Sequence, residues 1–325
     1  VILPEIGESG QARLGGSHVA IIGCGALGTV AADNLARAGV GHLILIDRDV
    51  VELNNLQRQT LFSEEDVGRP KAIAAAERLG KVNSAIKVEP AIKDINHTNV
   101  EEVVRSVDLV LDGTDNFHTR LVVNDACVKH GIPWIYAAAV GTSGLVMPVL
   151  PEGPCLRCLF PDPPSAGALP TCDTAGVLNT ATTIIASMES TEAIKVLLRK
   201  DVRWELLTYD AWAHRLTALT VKKGDECPCC GRRDFRFLNA EEREIITSLC
   251  GRNAVQITPV KSGRISFAKL AERLRRVGEV NYNEFILTFR TQGKEISVFQ
   301  DGRVIVKGTT DEMTARSLYA RYVGT

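Results

Sequence analysis

The chain has 325 residues, with 38 Lys and Arg against 39 Asp and Glu, 45% hydrophobic residues and nine cysteines. A chain of this length buries roughly 75% of its unfolded surface and needs no disulfide staples. A net charge of −1 argues against broad nucleic-acid or anionic-membrane binding, which needs a basic excess. No apolar run approaches the ~18 residues of a membrane helix, and Val1-Ile2-Leu3-Pro4-Glu5 shows no signal peptide, so a cytoplasmic protein is expected. The first residue is not Met, so further residues are expected before Val1.

In chain order, His18–Ile22 reads as an apolar strand. Gly23-Cys24-Gly25-Ala26-Leu27-Gly28 follows at once, and residues 29–38 read as a helix stopped by Gly39. Residues 42–46 form the next strand, 71–79 an alanine-rich helix, 100–105 a short helix and 107–111 a strand closing on Asp112-Gly113-Thr114-Asp115. A helix over 120–129 and a strand over 133–138 follow. Strands alternating with helices at this spacing predict an α/β fold with a doubly wound, largely parallel sheet. The pattern changes after Val140. A strand over 144–150, a proline-punctuated segment from Pro151 to Pro170, a long helix over 177–198 and short strands at 205–209 and 217–221 are expected. The first domain is placed at 1–245. A small α+β unit is placed at 250–325, with strands near 255–259, 285–289, 295–299 and 304–306. Its helices are expected at 267–277 and at 311–322, the second capped by Thr310 or Asp311. The basic face of the 267–277 helix reads as solvated surface.

Glycines 23, 25 and 28 let the backbone turn tightly and approach a phosphate, while the helix that follows offers free N–H groups. Asp47, ending the second strand, suits ribose hydroxyls. This much describes a Rossmann-like nucleotide site, with a nicotinamide dinucleotide as the default ligand. The next stretch argues otherwise. Arg58 can fork onto phosphate oxygens and Lys71 supplies a point charge. A pyrophosphate already held by the glycine loop needs neither, whereas a nucleoside triphosphate uses both. Asp115, a single carboxylate after a strand, suits magnesium held jointly with phosphates.

Cysteines 155, 158, 227 and 230 form two CxxC units with 68 residues between them. Two such turns make a closed four-thiolate zinc site, structural because no position is left for water. Two redox pairs are the alternative. Cys229 breaks the simplicity of the second unit, but Cys230 keeps the spacing from Cys227. Cys24 and Cys127 read as small apolar fillers. The six histidines show no ligand spacing.

These motifs together resemble the MoeB/ThiF group of adenylyltransferases, prokaryotic relatives of ubiquitin-activating enzymes. The resemblance rests on GCGALG at 23–28, DRDVVELNNLQRQTLF at 47–62, VGRPKA at 67–72, LDGTDNFHTR at 111–120, CLRC at 155–158, TCDTAGVLNT at 171–180 and CPCCG at 227–231, and covers roughly residues 1–240. It implies ATP-dependent activation of the C-terminal glycine carboxylate of a ubiquitin-like sulfur carrier (ThiS or MoaD type) ending in Gly-Gly, as an acyl-adenylate for sulfur transfer. It further implies that Asp47 binds the ATP ribose, that Asn55, Arg58 and Lys71 hold the phosphates, and that Asp49 and Gln59 also bind the nucleotide. Asp115 would ligate magnesium, zinc would be structural, and the enzyme would be a homodimer with a sulfur-donor enzyme as a possible partner. Cys172 matches a loop cysteine used for sulfur transfer in ThiF-like members and not required in MoeB-like ones, and both uses stay open. An arginine that family members place just before this start would reach the partner's ATP, and is expected upstream of Val1. Two other readings compete. One is a nicotinamide-dependent oxidoreductase, in which Arg58, Lys71 and Asp115 would be idle. The other is a non-catalytic, zinc-stabilised scaffold of the same fold. The 250–325 unit lacks the cysteine loop of a rhodanese domain and is left unassigned.

Overall fold

The apolar runs that end at a polar or glycine residue become the central strands. In the computed structural model, which describes residues 1–162, 175–239, 245–249, 253–259, 265–291 and 293–323, the chain divides into two compact units, Val1–Ala240 and Glu241–Thr325. Cys172 and Cys250 lie outside the described residues.

The first unit is built on eight strands. These are β1 (His18–Ile22), β2 (His42–Ile46), β3 (Lys87–Ala91), β4 (Leu109–Asp112), β5 (Trp134–Val140), β6 (Ser143–Val149), β7 (Glu205–Asp210) and β8 (Arg215–Thr220). They lie in the order β3-β2-β1-β4-β5-β6-β7-β8. The first five neighbours run parallel, with Val19 beside Leu43 and Leu109. From β5 onward the pairings are antiparallel, which accounts for the change of pattern after Val140.

Each central strand feeds two cores by period-2 alternation. Val19, Ile21, Leu43, Leu45, Leu109, Leu111 and Ile135 face one layer. That layer includes α1 (Gly7–Gly15), α2 (Ala26–Ala38), α3 (Lys71–Val82) and α7 (Asn179–Leu197). Ala20, Ile22, Val110, Trp134 and Tyr136 face the other, with α4 (Val100–Arg105), α5 (Phe117–His130) and α6 (Leu156–Leu159). Each fully buried Leu, Ile or Val contributes about 1.5–3 kcal/mol relative to exposure. The fold is thus the expected α/β one, with a largely parallel sheet covered on both faces.

Several boundaries differ from the sequence reading. α2 begins at Ala26, with Gly25 as its N-cap, so the glycine loop enters the helix directly. α5 begins at Phe117 because the Asn116 side chain accepts the His118 N–H at 2.9 Å. β4 extends to Asp112, which puts that carboxylate in the sheet. α1 and β3 were not expected from the sequence.

In the second unit, β9 (Ile245–Leu249), β10 (Ala254–Thr258), β11 (Glu279–Tyr282), β12 (Ile286–Thr291), β13 (Lys294–Phe299) and β14 (Val304–Lys307) form an antiparallel sheet in the order β11-β12-β13-β14-β10-β9. Val255, Ile257, Leu287, Phe289, Ile296, Val298, Val304 and Val306 form one core with α8 (Phe267–Leu274) and α9 (Glu312–Tyr322). α8 stops three residues before the expected Val277, because the chain turns at Gly278 into β11. At Gly278 an added Cβ would lie 2.3 Å from Arg290 O. Asp311 caps α9 by accepting the Thr314 N–H at 2.9 Å.

Candidate functional site

The carboxyl ends of β1, β2 and β4 meet around the glycine loop, the place where open α/β sheets take ligands. Gly23 has φ +96°, a conformation that L side chains rarely adopt. Gly28 and Gly113 are glycine for a second reason. A Cβ on Gly28 would stand 1.8 Å from Gly23 O, and one on Gly113 would stand 2.1 Å from the same oxygen. The loop after β1, the first turn of α2 and the loop after β4 are therefore packed backbone on backbone. Asp47 ties the loop from β2, its two carboxylate oxygens accepting the N–H of Cys24 and of Asp49, both at 2.7 Å. Burial pushes the Asp47 carboxyl up from its ordinary range, and Lys71 pulls it back. The Cys24 thiol is buried and pushed well up, so it is a neutral filler.

Lys71 is the first residue of α3 and is almost fully buried, with Nζ 3.9 Å from Asp49 Oδ2. Its backbone N–H also donates to Asp49 O at 3.0 Å. A buried ammonium is thereby fixed beside the glycine loop and two carboxylates. Asn55 and Gln59 are buried, and Asn55 is used within its own turn. Its Oδ1 accepts the Glu52 N–H at 3.2 Å and its Nδ2 donates to Asn54 Oδ1 at 3.0 Å. Arg58 is half-buried and donates through Nη1 to Asn54 O at 3.0 Å. Asn55 and Arg58 bond within the 52–59 turn, the buried Gln59 Oε1 has no hydrogen-bond partner among the described residues, and Arg58 has most of its fork still to offer.

At the end of β4, Asp112 accepts from Thr114 N (2.9 Å), Thr114 Oγ1 (2.7 Å) and Arg120 Nε (2.7 Å). Arg120 lies 5.3 Å over the Tyr136 ring. Asp115 follows this turn and acts electrostatically on Arg48 and Arg120. Glu189, from α7, is fully buried, and its Oε1 accepts the Asp112 N–H at 3.1 Å. Asp112, Arg120 and Glu189 were not picked out from the sequence. The first two lay inside the 111–120 motif. The signal for Glu189 is an acid inside an otherwise apolar and small-residue stretch of helix, 184–190.

The four expected cysteines come together. The Sγ atoms of Cys155, Cys158, Cys227 and Cys230 all lie within 4.8 Å of one another, the one such group among the described residues. Cys155 and Cys227 are 3.6 Å apart, and Cys158 and Cys230 are 3.4 Å apart. Sulfurs around a tetrahedral zinc at ~2.3 Å lie ~3.8 Å from one another, so the donor set fits that ion. Cys229 is not one of the four: Asn124 Nδ2 donates to its Sγ at 3.3 Å, and its thiol also interacts with that of Cys155. The same Asn124 accepts the Leu156 N–H at 2.8 Å, so α5 grips both thiol arms.

The fold and the glycine loop fit a nucleotide-binding α/β protein, and the four thiols could hold a metal ion. The ThiF family model matches residues 1–229. The sulfur carrier protein ThiS adenylyltransferase of Bacillus subtilis (strain 168) is 42% identical over 329 residues, covering 99% of this chain and 97% of that protein. The SAMP-activating enzyme E1 of Haloferax volcanii is 41% identical over 233 residues, covering 71% of this chain and 86% of that one. Among solved structures, Escherichia coli MccB with ATP aligns with a TM-score of 0.61 and 26% identity over 68% of each chain. The chain belongs to the ThiF family and is an adenylyltransferase. Among the described residues, no helix is long and apolar enough to cross a membrane.

Proposed function

We propose that this chain uses ATP and magnesium to adenylate the C-terminal glycine carboxylate of a ubiquitin-like sulfur carrier ending in Gly-Gly. The observation that carries this reading is the backbone-packed glycine loop, tied by Asp47 and flanked by the buried Lys71 and by Asp115. The relatives' names support it from a second direction. The carboxylate oxygen attacks the α-phosphorus of ATP. One O–P bond forms, the bond to the bridging oxygen breaks, and pyrophosphate leaves.

An anion approaching a polyanion needs positive charge placed in advance, and Lys71 and Arg58 supply it. The N–H groups of the glycine loop receive phosphate oxygens, Asp47 binds the ribose, Asn55 joins Arg58 and Lys71 at the phosphates, and Asp49 and Gln59 also lie at the nucleotide. Asp115 would hold magnesium, which neutralises phosphate charge. Zinc at Cys155, Cys158, Cys227 and Cys230 would be structural and join the two thiol arms. Cys172 is retained as the candidate sulfur-relay thiol. A cytoplasmic homodimer that receives sulfur from a donor enzyme completes the reading.

The test is ATP–pyrophosphate exchange with magnesium against a panel of carriers ending in Gly-Gly. Exchange dependent on one carrier is the expected result. ATP binding without exchange on any carrier would overturn the assignment of substrate.

A further inference from the structure

The ladder between β4 and β1 continues to the Ile22–Asp112 pair, whereas that between β4 and β5 stops at Leu111–Ile135. The strands separate at this point, and side chains from two helices bridge the opening. Arg120 of α5 donates through Nη2 to Thr114 O at 2.6 Å and to Ala137 O on β5 at 3.2 Å. Glu189 of α7 accepts the Asp112 N–H at 3.1 Å. It thus takes the role a neighbouring strand's carbonyl would have had.

The electrostatics fix the form of Glu189. Asp112 and Arg120 pair at 2.7 Å and cancel. Glu189 is fully buried, and its Oε2 has no hydrogen-bond partner. An ionised Glu189 would be a buried third charge with no cation of its own, so the neutral acid is favoured. Burial first, and the Asp112 charge second, push its carboxyl well above the ordinary range, opposed by the Asp112 N–H it accepts and then by Arg120. The position therefore asks for an acceptor oxygen and no charge, and glutamine would supply both.

The bond also reaches the nucleotide loop. Asp112 is followed by Gly113, whose Cβ position lies 2.1 Å from Gly23 O. No slack exists between the end of β4 and the glycine loop, so a displaced Asp112 would displace Gly23.

We propose that Glu189 is a positioning residue for the nucleotide site, setting the Asp112–Asp115 turn and, through Gly113, the glycine loop, by accepting the Asp112 N–H from the helix side. This rests on reading the glycine loop as the ATP site.

The test compares the full chain with Glu189→Gln and Glu189→Met in equilibrium binding of magnesium ATP. Glu189→Met should bind about tenfold more weakly or worse, the scale of a buried N–H losing its acceptor, and Glu189→Gln should restore affinity to within about threefold. Infrared difference spectra of wild type against Glu189→Gln at neutral pH give a second readout, needed if Glu189→Met does not fold. A protonated-carboxyl carbonyl stretch should be present in wild type and lost in Glu189→Gln. Absence of that band, wild-type affinity in folded Glu189→Met, or Glu189→Gln as weak as Glu189→Met would overturn the proposal. Failure of wild type itself to bind ATP would overturn the nucleotide reading instead, and the infrared band would still report the neutral acid.

Discussion

Gly28→Ala places one methyl where the structure has no room. Its Cβ would start 1.8 Å from Gly23 O and 2.9 Å from Gly23 C, both backbone atoms, and ordinary contact begins near 3.4 Å. The loop and the first turn of α2 must therefore part by about 1.6 Å. Overpacking of this kind costs about 1–3 kcal/mol or more, against the ~1 kcal/mol that alanine gains over glycine in a helix. A net loss of up to about 2 kcal/mol corresponds to a melting temperature lower by up to about 8 °C for a unit of this size. Function should suffer more, because a displacement near 1 Å in a reacting site costs on the order of 10²-fold in rate. ATP–pyrophosphate exchange and a thermal melt measure the two effects side by side. Gly80→Ala is the control, since that α3 glycine has nothing within 4 Å of its Cβ position and should gain about 0.5–1 kcal/mol. If Gly28→Ala also gains stability and keeps exchange within about twofold, the backbone-on-backbone account of the loop is refuted.

Three further outcomes are expected. Lys71→Met removes the buried cation 3.9 Å from Asp49 and should cost exchange roughly 10²–10³-fold, with the loss in kcat/KM; a change under about fivefold would remove Lys71 from the phosphate role. Cys230→Ala should lose the bound metal while Cys229→Ala keeps one zinc per chain, which metal analysis of purified protein decides; zinc loss in Cys229→Ala would reassign the fourth ligand. Folded Glu189 holds its proton above the ordinary glutamate range, so between about pH 4.5 and its raised value the folded state binds more protons than the unfolded one. Its stabilising contribution is full below that window and falls as pH rises, by up to about 1.4 kcal/mol per pH unit. Glu189→Gln should flatten the fall in denaturant midpoint, and an unchanged slope would contradict the sign.

What could be read from the sequence was what depends on local pattern. Val19 and Ile21 alternate with Ala20 and Ile22, glycine interrupts at once, and the strand–loop–helix unit is fixed by neighbours in the chain. The two CxxC units were legible because the chemistry of thiolates demands few other residues. β3 was missed because an edge strand need not alternate, and its Lys87, Glu89 and Pro90 read as a loop. α1 was missed because it buries only Gly10 and Leu14 and is flanked by glycines. The side-chain bonds of Asn55 within its own turn are local contacts that composition does not reveal. Glu189 lies 77 positions from Asp112, and only the tertiary fold brings them together.

The thiol pairs Cys155–Cys227 and Cys158–Cys230 each join residues 72 positions apart. A ribosome adding 5–20 residues per second makes the second arm roughly 4–14 s after the first. During that interval one pair of thiols has no counterpart, so the four-thiol group cannot assemble until α7 and the β7–β8 hairpin have been synthesised. Any metal that the four thiols hold is therefore taken up only after the second arm has been made.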